Sequence, residues 1–105
     1  MTPALLTRQA AADLEQAFEY YFDAPDLALA ERFRDAVDEA LAHIRRHPGT
    51  GSARYAQGDT AASALRFWSL NHFPYAVFYL THPARIDIVR VLHQASDIPQ
   101  HLLSP

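Results

Sequence analysis

Neither cysteine nor lysine occurs anywhere in the 105 residues. Without cysteine there are no disulfides, no thiol catalysis, no cysteine-ligated zinc and no iron–sulfur cluster. Long apolar runs are missing too. None approaches the roughly 18 residues that a membrane span requires, and the N-terminus lacks a charged-then-apolar signal pattern. The expected compartment is therefore the cytoplasm, with no membrane partner. Basic charge is also in short supply: nine Arg face twelve Asp or Glu, a net charge of −3. A protein that grips nucleic acid through many phosphate contacts displaces counterions with cationic side chains and should be basic. No direct sequence-specific nucleic-acid binding is expected.

What is present describes one ordinary globule. Half the residues are hydrophobic and a fifth are charged, and a chain this long buries roughly two thirds of its unfolded surface in a single core. Residues 1–105 read as one domain, without repeat or linker. The acids crowd the first half: residues 1–47 hold five Arg against nine acids, residues 48–105 four Arg against three.

Periodicity divides the chain into a helical half and a strand half. Residues 2–6 (Thr-Pro-Ala-Leu-Leu) suit an edge strand. Thr7 stands where an N-cap belongs. From Arg8 to about Phe22, Ala11, Leu14, Phe18 and Tyr21 mark one face of a helix. A second helix is predicted from about Pro25 to Arg46, with Ala30, Phe33, Val37, Ala40, Leu41 and Ile44 along its seam. Arg45 and Arg46 fall in its last turn, where the helix dipole favours cations, and the Pro-Gly segment from His47 to Gly51 stops it. The period then changes. Residues 65–70, 75–80 and 86–92 read as three strands joined by turns at 71–74 and 82–85, with Ser52 to Gln57 as a possible further strand. The predicted class is α+β: an N-terminal helical hairpin packed on a small antiparallel sheet, with the 75–80 strand buried on both faces.

Ala12-Asp13-Leu14, Pro48-x-x-Gly51, Leu65-Arg66, Phe73-Pro74-Tyr75, Phe78-Tyr79 and Ile88-x-Arg90-Val91-Leu92-His93 follow in order, and Asp97-Ile98-Pro99 closes the set. Together they resemble the ParE branch of the RelE/ParE superfamily, the toxin halves of type II toxin–antitoxin pairs, over essentially the whole chain. The resemblance implies a helical hairpin on a small sheet, a ParD-like antitoxin as partner and DNA gyrase as target. Catalytic residues and cofactors are absent from what it implies. The alternatives are a RelE-like ribosome-dependent endoribonuclease and a ParE-fold module that binds an antitoxin without being toxic. Where nuclease relatives carry two arginines and a tyrosine, this chain has Asn71, Ser96 and Leu102. Two departures from the ParE pattern stand out. Gln94 replaces a glycine, which predicts a strained turn if that position needs positive φ. Ser96 replaces an arginine, removing a planar fork of donors.

The candidate residues follow from this reading. Phe18, Tyr20, Tyr21 and Phe22 are more aromatic surface than one helix face hides, so the cluster is either an interface or a wide core around the hairpin tip. Phe18, Tyr21, Phe22 and Trp68 are the expected antitoxin contacts, with core packing the alternative for Trp68. Arg66, Arg90, His93 and Asp97 are the expected target contacts. For Arg66 and Arg90 the structural alternative is pairing with Asp87 or another acid; for His93 it is a hydrogen bond at the sheet edge. The segment from Arg90 to Leu103 is expected to govern toxicity while adding little to the core. His43 and His47 share a helix face, but without a glutamate between them or a third ligand they do not make a metal site.

Overall fold

The Thr7 hydroxyl performs two tasks. It accepts the Ala10 N–H at 3.2 Å, capping helix α1 (Arg8–Phe22), and donates to the Val89 carbonyl at 3.1 Å, fastening that cap to the last strand. The computed structural model describes residues 2–24, 26–56 and 65–103. Helix α2 (Leu27–Arg46) starts two residues later than the sequence suggests, because the Asp26 carboxylate accepts the Ala28 N–H and so occupies the N-cap. The face that α1 buries is Ala10, Leu14, Ala17 and Tyr21. Ala11 is exposed and Phe18 half-buried, a one-residue rotation from the expected stripe.

The sheet contains β1 (Ala4–Leu6), β2 (Leu65–Ser69), β3 (Tyr75–Thr81) and β4 (Ile86–His93) in the order β1-β4-β3-β2. Pairs β2–β3 and β3–β4 are antiparallel as expected. The edge strand expected from residues 2–6 forms as β1 and runs parallel to β4, with Ala4 opposite Ile86, in an otherwise antiparallel sheet. Ser52 makes one isolated bridge to Phe67 and the chain then turns, so the strand considered from Ser52 onward does not form over the described residues; Gln57 lies outside them. Phe78 pairs with Arg90 but Tyr79 with Ile88, which leaves Val89 as a bulge directly before Arg90.

Two cores result, one on each face of the sheet. Helix-side, Phe33, Ile44, Val77, Tyr79, Ile86 and Ile88 are fully buried. Behind the sheet, Phe78, Ala76 and Leu92 pack with Leu65 and Ile98. Ala76 to Tyr79 therefore have no exposed surface, as a strand buried on both faces requires.

Residues 98–103 form a short helix, α3. It corrects the expectation that the C-terminal segment adds little to the core: Ile98 is buried there and Leu102 packs against the same cluster. The physical cause is the second face of the sheet, which the hairpin cannot cover. Gln94 also departs from expectation. The one non-glycine residue with positive φ among those described is His72, at 67°, so Gln94 carries no left-handed strain. Its backbone N–H bonds the Pro74 carbonyl and its amide donates to Ser69 Oγ at 2.7 Å.

The loop after α2 is latched from inside. The Tyr79 hydroxyl donates to the Pro48 carbonyl at 2.6 Å and accepts the Gly51 N–H at 3.1 Å. Arg66 Nη1 donates to the Gly51 carbonyl at 2.8 Å. A Cβ on Gly51 would overlap the Tyr79 hydroxyl and come within 2.9 Å of the Phe67 carbonyl. Gly51 is required by this close approach, since its φ of −65° suits any residue. Tyr79→Phe strands the Pro48 and Gly51 groups and is expected to lose about 1–3 kcal/mol of stability. Gly51→Ala should be at least as costly. Urea unfolding of both variants tests this, and a loss below about 0.5 kcal/mol for both would show that the latch contributes nothing net.

Candidate functional cleft

Helix α1, the start of β3, the end of β4 and helix α3 converge on an open cleft of about 290 Å³. Asp13, Gln16, Ala17 and Tyr20 form one wall, Tyr75 and Arg90 to His93 the floor, and Ser96 and His101 the far rim. Each wall residue arrives there for a local reason. Tyr20 lies outside the buried stripe of α1 and is 70% exposed. Arg90 follows the Val89 bulge and reaches across to α1.

That reach is consumed internally. Arg90 Nε donates to Asp13 Oδ2 at 2.8 Å and Nη2 donates to Oδ1 at 3.0 Å, a two-point fork. Asp13 Oδ2 also accepts the Val91 N–H at 2.9 Å, and Arg90 Nη1 donates to the His101 carbonyl at 3.1 Å. One ion pair thus joins α1, β4 and α3. The side chains are only 12% and 14% exposed, and hydrogen bonding to Asp13 holds the guanidinium still further above its ordinary pKa. The acid is Asp13 and not Asp87, whose carboxylate takes Arg85 and His82 instead. The Arg85 hydrogen bond holds Asp87 below the usual carboxyl range, with His82 adding to it.

Burial pushes the Tyr75 hydroxyl above its ordinary value and neighbouring Tyr20 adds to the shift; burial does the same to Tyr21. A general base needs the opposite. His93 meets Tyr75 edge-on at 5.1 Å, and its Nδ1 accepts the Ala95 N–H at 3.0 Å. Ser96 Oγ donates to the His93 carbonyl at 2.6 Å.

Of the residues expected from sequence, Arg90 and His93 meet in this cleft. Tyr21 lies behind it, 8% exposed and stacked on Phe33 at 4.6 Å. Phe18 is half-buried against Phe33, so the wide-core alternative holds for Phe18 and Tyr21. The exposed aromatics of the tip are Phe22, at 59%, and Tyr20. Asp97 caps α3, accepting the Gln100 N–H at 3.3 Å. Trp68 and Arg66 lie away from the cleft, at the C-terminal end of α2, with Trp68 stacked 3.8 Å from His43. The sequence reading missed the Asp13–Arg90 fork, although Ala12-Asp13-Leu14 contained the signal: an acid one residue from the buried Leu14. Asn71, Ser96 and Leu102 are not gathered. Asn71 sits in the β2–β3 link, Ser96 at the cleft rim and Leu102 on the second core.

Comparison with known proteins agrees with this architecture. The family model for the ParE toxin of type II toxin–antitoxin systems, parDE, matches residues 4–98. Toxin ParE1 of Caulobacter vibrioides is 30% identical over 102 residues, covering 97% of this chain and 99% of that protein. The solved structure of the chromosomal ParDE TA system from P. aeruginosa shares the fold, with a TM-score of 0.70 and 20% identity over 89% of this chain and 96% of that one.

Proposed function

Because the chain belongs to the ParE toxin family of type II toxin–antitoxin systems, we propose that it inhibits DNA gyrase by binding, without catalysis of its own, and that a ParD-like antitoxin neutralises it. The observation that carries the reading is the fate of the cleft's charge. Its arginine is committed to Asp13 and its Tyr75 hydroxyl is shifted away from basicity. Phosphodiester cleavage needs a cation free to meet developing negative charge and a group able to take a proton. What the cleft offers outward is Tyr20 and His93, a surface suited to recognition. The dispersal of Asn71, Ser96 and Leu102 supports the same reading.

A direct test uses the purified chain freed of antitoxin. Incubated with gyrase and supercoiled plasmid, it should make cleaved linear DNA accumulate, and it should leave messenger on purified ribosomes intact. Codon-dependent cuts in the ribosomal A site, with no effect on gyrase, would establish the endoribonuclease alternative instead. Inactivity in both assays with intact antitoxin binding would identify a non-toxic binding module.

A further inference from the structure

Between Arg8 and Arg32 the hairpin carries charge of one sign. From Gln9 to Glu31 there are six acids and no Arg, Lys or His, whereas from residue 40 onward six Arg face three acids. Two of the six acids are spent inside the fold, Asp13 on Arg90 and Asp26 on the start of α2. Glu15, Glu19 and Asp23 are exposed and follow one another at intervals of four, forming one ridge along α1. Among the described residues no ion pair or side-chain hydrogen bond reaches their carboxylates. The arrangement is locally unfavourable twice over. Carboxylates at i and i+4 repel each other. Glu19 also lies in the last turn of α1 and Asp23 at its C-cap, where the helix dipole disfavours anions and no basic residue offsets them.

At about 100° per residue, this ridge stands opposite the buried stripe of Ala10, Leu14, Ala17 and Tyr21. Exposed Phe22 flanks it on one side. Gln16 and exposed Tyr20, which line the cleft, flank it on the other. The outward face of α1 therefore reads aromatic, acidic, aromatic. We propose that the partner segment seated on this face is basic and amphipathic, with Lys or Arg side chains against Glu15, Glu19 and Asp23 and apolar side chains against Phe22 and Tyr20. The inference rests on the antitoxin reading above and adds the chemical class of the segment. Complementarity of charge selects it. A purely apolar segment would desolvate three carboxylates without compensation, and an acidic one would add to a repulsion that α1 already bears. A basic segment relieves that repulsion as it docks, so the feature that is unfavourable in the free chain becomes favourable in the complex.

The probe is the antitoxin isolated from its complex with this chain, titrated calorimetrically into the full chain. Raising salt from 50 to 200 mM should weaken binding about two- to fivefold. Glu15→Gln with Glu19→Gln should weaken binding about three- to tenfold at 50 mM salt and remove most of the salt dependence. The same pair should raise the urea midpoint of the free chain by roughly 0.2–0.5 M, because it removes like-charge repulsion and an anion near the helix C-terminus. Opposite signs for stability and binding are what a purely structural role would not give. Asp38→Asn with Glu39→Gln, the same change in net charge on α2, should leave affinity within about twofold. Equal losses from the two pairs would overturn the assignment, reducing it to a net-charge effect. Unaltered or tighter binding by the Glu15, Glu19 pair would overturn it alone and leave the antitoxin reading standing. Absence of antitoxin binding to the parent would overturn both. A toxin-binding segment in which acids outnumber Lys and Arg would also overturn it, as would self-association of the chain that the Glu15, Glu19 pair abolishes, which would give the face to a second copy.

Discussion

Asp13→Ala is expected to remove about 3–5 kcal/mol of unfolding free energy. The substitution leaves the Arg90 guanidinium in a site where its side chain is 14% exposed, without its carboxylate and with too little water to replace it. The Val91 N–H loses its acceptor at the same time. Since a domain of this size has roughly 5–15 kcal/mol in total, the variant should melt far below the parent or fail to accumulate. The double variant Asp13→Leu with Arg90→Met should recover much of the loss, because an apolar pair of similar bulk strands no charge. Urea midpoints of the parent, single and double variants form the test. A single variant within 1 kcal/mol of the parent would mean that Arg90 finds solvent or another partner, and that the fork holds nothing together.

That fork also shows what a linear sequence reveals and what it conceals. The hairpin and the three long strands are legible because amphipathic spacing is local: Leu14 and Tyr21, or Phe33, Val37 and Ile44, announce a helix face within a few turns. The parallel pairing of Ala4 with Ile86 is not, because its partners lie some 80 residues apart and a three-residue strand carries almost no pattern. Asp13 and Arg90 are hidden for the same reason, 77 residues apart. The α3 start was present in the sequence, since Asp97-Ile98-Pro99 places a capping carboxylate just before a proline in the first turn. Gly51 was visible as a motif residue but its cause was not, because close approach of Tyr79 leaves no trace in local spacing. Among the polar residues that carry the family resemblance, Asp13, Arg66, Tyr79 and Arg90 share one property. Each bonds the chain to itself. Recognition of the family therefore rests largely on residues that keep the fold, while exposed positions such as Tyr20 and Phe22 lie between them.

Under the proposed function, replacing both Tyr20 and Phe22 by alanine is expected to weaken antitoxin binding at least thirtyfold, about 2 kcal/mol or more. The two side chains point about 200° apart around the end of α1, one into the cleft and the other toward Phe18, whose ring centroid lies 6.3 Å away. A partner contacts both by wrapping the hairpin tip, which an amphipathic segment that orders on binding can do. Such a segment must offset its ordering entropy with large apolar anchors, and exposed aromatics are the anchors available. Stability should scarcely change, because the two rings are 70% and 59% exposed before the partner arrives. Tyr21→Ala supplies the contrast. Tyr21 is buried against Phe33, Phe73 and Tyr75, so its removal should cost about 3–5 kcal/mol of folding free energy and affect the antitoxin mainly through the fraction of folded chain. Calorimetric titration of purified antitoxin into each variant, beside urea unfolding of each, separates the two behaviours. Unchanged affinity in the Tyr20, Phe22 double variant would move the antitoxin to the other exposed large apolar side chains, Leu5 and Leu6 on β1 or Leu27 at the start of α2.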